Sequence, residues 1–220
     1  MKEIEFIAFD LDGTLLDTAQ DFLIAVNRLR SKHSFSSCEL EEVRIRVSEG
    51  ALSLTNFALD LRGENQNKIQ FHKNELLEIY NSCCLDKTVP FDGINNLLTN
   101  INKSGLKWGI VTNKPKKFAK KIVHHFFSSY RPSCLICPED AGERKPSPKG
   151  LLKACLEVDS NPTKSIYIGD HHIDIEAGKN AEMITIAAAY GYIPEGQNPS
   201  NWGAEFIAKS PEELNSIIFS

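Results

Sequence analysis

No apolar run in this 220-residue chain is longer than a strand, so no segment is expected to span a bilayer. An excess of positive charge is missing as well. With 25 Lys and Arg against 29 Asp and Glu, the net charge is −4, which gives no electrostatic footprint for nucleic acid. The opening residues, Met1-Lys2-Glu3-Ile4-Glu5, carry acids where a secretory leader would place its apolar segment, and a cytoplasmic location is expected. The six cysteines lack the spacing of a disulfide framework. Cys134 and Cys137 do form a Cys-x-x-Cys, but in an extended apolar run, where positions three apart leave opposite faces. Reduced, buried thiols are therefore expected in place of a zinc or redox site. Low-complexity segments and internal repeats are also absent, and 41% hydrophobic with 25% charged residues is an ordinary globular composition that excludes extensive disorder.

Two kinds of pattern fill the chain. Between residues 18 and 85 apolar positions recur at spacings of three and four, as in Phe22, Val26 and Leu29, then Val43, Val47, Leu54, Ala58 and Leu61, then Leu76 and Tyr80. This predicts three or four helices. From residue 91 onward, short β-branched runs alternate with amphipathic segments: strands are expected at 108–111, 134–137, 165–168, 183–186 and 206–207, and helices at 94–103, 118–126, 148–157, 174–179 and 211–218. Such alternation signals βα units on a parallel sheet. The apolar run at residues 4–9 has no partner nearby in sequence and joins that sheet most economically. The expected architecture is α/β, a Rossmann-like three-layer fold around a parallel sheet built from residues 1–15 and 88–220. Residues 16–87 form an all-helical insertion.

Loops at the carboxyl ends of parallel strands gather on one edge of the sheet, where ligands bind. The first strand ends in Asp10-Leu11-Asp12-Gly13-Thr14: one carboxylate placed to attack, a second placed to move a proton, and a tight turn that brings amides and a hydroxyl to the same point. The strand at 108–111 ends in Thr112 and Asn113. The strand at 165–168 ends in Gly169 and Asp170, with Asp174 one helical turn further on. Lys145 precedes a Pro-started helix. Several carboxylates at one point repel one another unless a cation sits among them, and an all-oxygen donor set next to a phosphate favours Mg²⁺. Asp10 and Asp170 are expected to bind Mg²⁺ through carboxylates and Asp12 through its main-chain carbonyl, with Asp174 close behind. Gly13, Thr14, Thr112, Asn113 and Lys145 are expected to hold a phosphate. The cluster Lys114, Lys116, Lys117, Lys120 and Lys121 reads as a solvated helix face, with Lys114 alone near enough to Thr112 to touch a substrate, and His171 and His172 as solvent-facing or as a backing layer to the metal site.

These motifs, in this order over essentially the whole chain, resemble those of the haloacid dehalogenase superfamily of phosphatases. The resemblance implies Asp10 as nucleophile, Asp12 as general acid and then base, Thr112 and Lys145 as phosphate anchors, and Asp170 with Asp174 at a Mg²⁺ site. The helical insertion is similar to the mobile cap of the phosphoglycolate phosphatase-like branch. Arg46, Ser48, Glu49 and Gly50, at a break between its helices, are the candidate readers of the leaving group. Residues 17–21, 47–51 and 190–192 look like phosphoglycolate phosphatases, while residues 108–115 and 198–204 resemble the bacterial N-acetylmuramate 6-phosphate phosphatases. His171 departs from both, since such proteins often carry an acid or a small hydroxyl residue there. A small phosphorylated metabolite is the implied partner, with the protein a monomer or homodimer. A phosphosugar mutase and a catalytically silent phospholigand-binding module are the alternatives. A dehalogenase would leave Asp12 without a task.

Overall fold

The computed structural model describes residues 4–219, so Met1 to Glu3, on which the expectation of no leader partly rested, lie outside the described residues. In chain order the strands are β1 (Phe6–Phe9), β2 (Leu16–Asp17), β3 (Val89–Pro90), β4 (Lys107–Val111), β5 (Leu135–Ile136), β6 (Ser165–Gly169), β7 (Ile184–Ala188) and β8 (Phe206–Ala208). The helices are α1 (Ala19–Lys32), α2 (Leu40–Val47), α3 (Ala51–Leu59), α4 (Gln66–Cys83), α5 (Ile94–Ser104), α6 (Lys116–Phe127), α7 (Pro138–Ala141), α8 (Lys149–Val158), α9 (His172–Asn180) and α10 (Pro211–Phe219). The chain divides into two compact units, Met1–Leu16 with Pro90–Ser220, and Asp17–Val89. These boundaries fall one or two residues from those read in the sequence, because β2 and β3 pair with each other and are too short to show a period.

Among the described residues of the first unit, six strands form one sheet in the order β5-β4-β1-β6-β7-β8, and every pairing is parallel. All four β1 residues are fully buried, as expected of a central strand covered on both faces. Alternation sorts their side chains. Phe6 and Ala8 join Tyr167 in an apolar cluster with Leu151, Ala154 and Cys155 of α8 and Ala177 of α9. On the other face Phe9 meets Trp108 edge to face, and Trp108 meets Phe127 of α6. The result is the three-layer α/β fold the sequence predicts. The chain order reverses at β1, which has β4 on one side and β6 on the other. That switch point is where such sheets bind ligands.

The expected strand at 134–137 contracts to two residues, since Cys137 leaves the sheet to cap α7 in a reciprocal arrangement with Asp140, and Pro138 occupies the first helical position. All six cysteines are buried and unbridged. Burial pushes the Cys134 and Cys137 thiols up to about 12, which leaves them inert.

The second unit is four helices whose periodic apolar residues turn inward, with Phe22 of α1 stacked on Tyr80 of α4 at 4.1 Å between centroids. Buried Asp21 ties its end down, accepting the main-chain N–H groups of Lys87 (2.7 Å) and Thr88 (3.0 Å) and the Thr88 hydroxyl (2.6 Å). Among the described residues no helix is long and apolar enough to cross a membrane.

Candidate active site

Parallel register puts the ends of β1, β4 and β6 level. Phe9 aligns with Ile110 on one side and Ile168 on the other, so Asp10, Thr112 and Asp170 emerge together, and all three are buried. Asp10, Asp170 and Asp174 each offer a carboxylate oxygen within 4.8 Å of the others. Lys145 Nζ sits among them, 2.9 Å from Asp10 Oδ1, 2.6 Å from Asp174 Oδ1 and 2.8 Å from the Tyr167 hydroxyl oxygen.

Burial raises the Asp10 carboxyl to about 6; Lys145 pulls it down, and Asp174 pushes it up. Asp170 is driven well above the usual carboxylate range by burial, then by the charges of Asp174 and Asp10. Burial opposes the Lys145 cation too, but Asp10 and Asp174 more than offset it, and its pKa is raised. Crowded acids titrating high are what a site built for one more cation shows before the cation arrives.

The fit to a hard divalent ion can be tested on the oxygens themselves. Asp10 Oδ1 is buried, and apart from its ion pair with Lys145 no donor meets it among the described residues. Asp170 takes the Thr14 hydroxyl on Oδ1 (2.9 Å) and the Tyr192 N–H on Oδ2 (2.8 Å), which aim its carboxylate toward Asp10 and Asp174. Asp174 is more fully engaged, taking Lys145 and the Tyr167 hydroxyl on Oδ1 and the His171 N–H on Oδ2. A buried, all-oxygen cluster of three carboxylates fits a hard divalent ion such as Mg²⁺.

The residues expected at the phosphate also bond within the protein. The Gly13 N–H is taken by the Leu16 carbonyl at 2.9 Å, so it is not an anion donor. Thr14 is fully buried and its hydroxyl orients Asp170. The Asn113 side chain grips the Lys145 backbone from both ends, Oδ1 accepting its N–H (2.8 Å) and Nδ2 donating to its carbonyl (3.2 Å). The Thr14 and Asn113 side chains thus tie together the loops at the strand ends, where Thr112 and Lys145 are also buried. Thr112 Oγ1 accepts the Lys114 N–H, so its own proton is available to donate.

Lys114 corrects the reading of its cluster as solvated. It is buried, and its Nζ lies 2.9 Å from both carboxylate oxygens of Asp12. The helix α6 begins only at Lys116, after Pro115, so Lys114 belongs to the loop at the sheet edge. Tyr167, unmarked in the sequence because it alternates like any core strand residue, links Lys145, Asp174 and the Val111 carbonyl. His172 is exposed as expected, but His171 is buried and caps α9, its Nδ1 accepting the Ile173 N–H. In the second unit, Ser48 ends α2 and Gly50 precedes α3. Arg46 lies 4.3 Å over the Phe57 ring and bonds to the Glu42 carbonyl, while Glu49 accepts the Ser53 hydroxyl.

Gly13 is the tightest point. Its φ of +82° is left-handed, and a Cβ there would collide with the Asp170 carboxylate and the Tyr192 ring. Gly13→Ala is expected to lower kcat/KM by at least about 100-fold, the scale that a displacement of about 1 Å in a reacting site costs. Steady-state kinetics on any turned-over phosphomonoester, with circular dichroism to confirm the fold, checks it.

The model of the haloacid dehalogenase-like hydrolase family matches residues 7–188, which include every strand-end residue just described. The chain belongs to the haloacid dehalogenase-like hydrolases. It is 38% identical over 215 residues to an N-acetylmuramic acid 6-phosphate phosphatase of Pseudomonas aeruginosa, covering 98% of this chain and 95% of that one. To a phosphoglycolate phosphatase of Xylella fastidiosa it is 33% identical, covering 95% and 90%. A crystal structure of a predicted phosphoglycolate phosphatase from Haemophilus somnus 129PT superposes with a TM-score of 0.88 over 99% of both chains; at 21% identity this speaks for the fold alone. Within the family this dehalogenase-like hydrolase is a phosphoric monoester hydrolase.

Proposed function

We propose that this hydrolase removes phosphate from a small phosphomonoester in a Mg²⁺-dependent reaction through an aspartyl-phosphate on Asp10, and that a sugar phosphate of the N-acetylmuramic acid 6-phosphate type is a better substrate than phosphoglycolate. The observation that carries the reading is the buried Asp10 carboxylate at the switch point, with Lys145 at 2.9 Å and two more carboxylates around it. Asp10 forms a bond to phosphorus as the ester P–O bond breaks, and Asp12 gives its proton to the leaving alkoxide. Asp12 then takes a proton from the water that attacks phosphorus, which frees Asp10 and inorganic phosphate. Lys114 holds Asp12 in place through both carboxylate oxygens. Lys145 and Thr112 supply a cation and a hydroxyl to the phosphoryl oxygens, and Asn113 fixes the Lys145 backbone that delivers the cation. Mg²⁺, held by Asp10, Asp170 and the Asp12 main-chain carbonyl with Asp174 in support, would neutralise charge on the phosphoryl group.

The preference for a sugar phosphate rests on the 38% identity over nearly the full length of both chains. The helical unit acts as the cap in this reading, and Arg46, Ser48, Glu49 and Gly50 at the α2–α3 junction read the leaving group. The test is kcat/KM on N-acetylmuramic acid 6-phosphate and phosphoglycolate side by side, in the parent and in an Arg46→Ala, Glu49→Ala double variant. The sugar phosphate is expected to lead by at least about tenfold in the parent, and the ratio to narrow in the variant. Equal rates on both substrates would defeat the substrate assignment. An unchanged ratio would remove the junction from specificity.

A further inference from the structure

Away from the catalytic cluster, the helical unit gathers a second set of metal-binding side chains. His33 stands at the C-terminus of α1, while His72 and Glu75 lie one turn apart on α4. Their ligand atoms all fall within 4.8 Å of one another. Glu75 Oε2 is the meeting point, 2.6 Å from His72 Nδ1 and 3.1 Å from His33 Nε2, and the two imidazoles meet edge to face at 4.8 Å between centroids. His72 and Glu75 are nearly covered, with side chains 11% exposed, whereas His33 reaches solvent at 28%.

We infer that His33, His72 and Glu75 form a binding site for a borderline divalent metal ion of the Zn²⁺ class, which would staple the end of α1 to α4. Two imidazoles and one carboxylate suit Zn²⁺, Co²⁺ or Ni²⁺ and not the hard Mg²⁺ of an all-oxygen site. Three protein ligands with one face toward solvent leave a fourth position for water. Ligand atoms of a tetrahedral zinc site lie about 3.3 Å apart, from bond lengths of about 2.0–2.2 Å. The His33–Glu75 spacing of 3.1 Å is already close to this, and the His72–Glu75 pair at 2.6 Å must open by less than about 1 Å. Lys32, whose Nζ lies 2.5 Å from Glu75 Oε1, occupies the other carboxylate oxygen, and its side chain is 61% exposed, free to move into solvent when a cation replaces its charge.

The experiment titrates Co²⁺ into the full chain carrying Asp10→Asn and Asp170→Asn, which disables the oxygen site, with excess Mg²⁺ present. Visible d–d absorption and calorimetry report binding. One equivalent of Co²⁺, displaced by Zn²⁺ and indifferent to Mg²⁺, is expected, with a rise in the melting temperature of the protein on loading. Because losing merely the outer partner of a metal ligand costs about 10–100-fold in affinity, His33→Ala should weaken Co²⁺ by more than about 100-fold. Partly exposed His33 can be removed without opening the core, and His33→Ala in the otherwise unaltered enzyme should leave phosphatase activity unchanged. Absence of the Co²⁺ band in the folded protein, or a band that survives both His33→Ala and His72→Gln, would overturn the site.

Discussion

Asp10→Asn is expected to lower kcat by on the order of 10⁵-fold with the fold intact, the scale seen when a covalent nucleophile is removed. The side chains are nearly isosteric, so the amide fills the same space beside Lys145. The substitution should also leave a mark on stability. The folded state raises the Asp10 carboxyl from 3.8 to about 6, chiefly by burial, so it binds that proton more tightly than the unfolded chain does. In chelator-treated parent protein this contribution to stability therefore grows as pH falls from about 6 toward 4, and is lost as pH rises through 6. The Asn variant lacks that slope. Retained turnover, or a pH–stability curve identical to that of the parent, would contradict the placement of the nucleophile.

Lys145→Met should do harm of both kinds. Its ammonium is buried within 2.9 Å of Asp10 and 2.6 Å of Asp174, and removing one partner of a buried ion pair costs about 3–5 kcal/mol because the remaining charges are left without water or cation. Loss of a donor to the phosphoryl oxygens adds a fall of about 10²–10³ in kcat. Chemical denaturation and single-turnover kinetics separate the two effects. Met preserves the volume of the stem, so the core contacts stay filled. A variant as stable as the parent would mean that the lysine is not compensating the acids.

How much of this was legible in the sequence depends on whether a residue's partner is implied by its own position. Asp10, Thr112 and Asp170 stood out because each follows a short apolar strand, and parallel strands bring their ends to one edge. Lys114 is legible only in its nearness to Thr112, since five lysines within eight residues look like a solvated helix face, and its pairing with Asp12 follows from the late start of α6 after Pro115. Tyr167 was hidden for the opposite reason: its ring occupies an ordinary inward strand position, and only the hydroxyl reaches the site. Polar side chains at a strand end such as Asn113 and Thr14 suggest a phosphate, but their sideways bonds to Lys145 and Asp170 have no signal in the sequence. Asp21, a buried acid satisfied by residues more than sixty positions away, carries no local signature at all.

The double grip of Asn113 on Lys145 has a consequence for how this enzyme can vary. An amide whose acceptor and donor ends both close on one residue sets the distance between two loops much as a clasp does. The stretch between them, including β5 and α7, can then lengthen, shorten or change composition while the ammonium stays at its post. Such drift should be tolerated there and punished at the clasp itself.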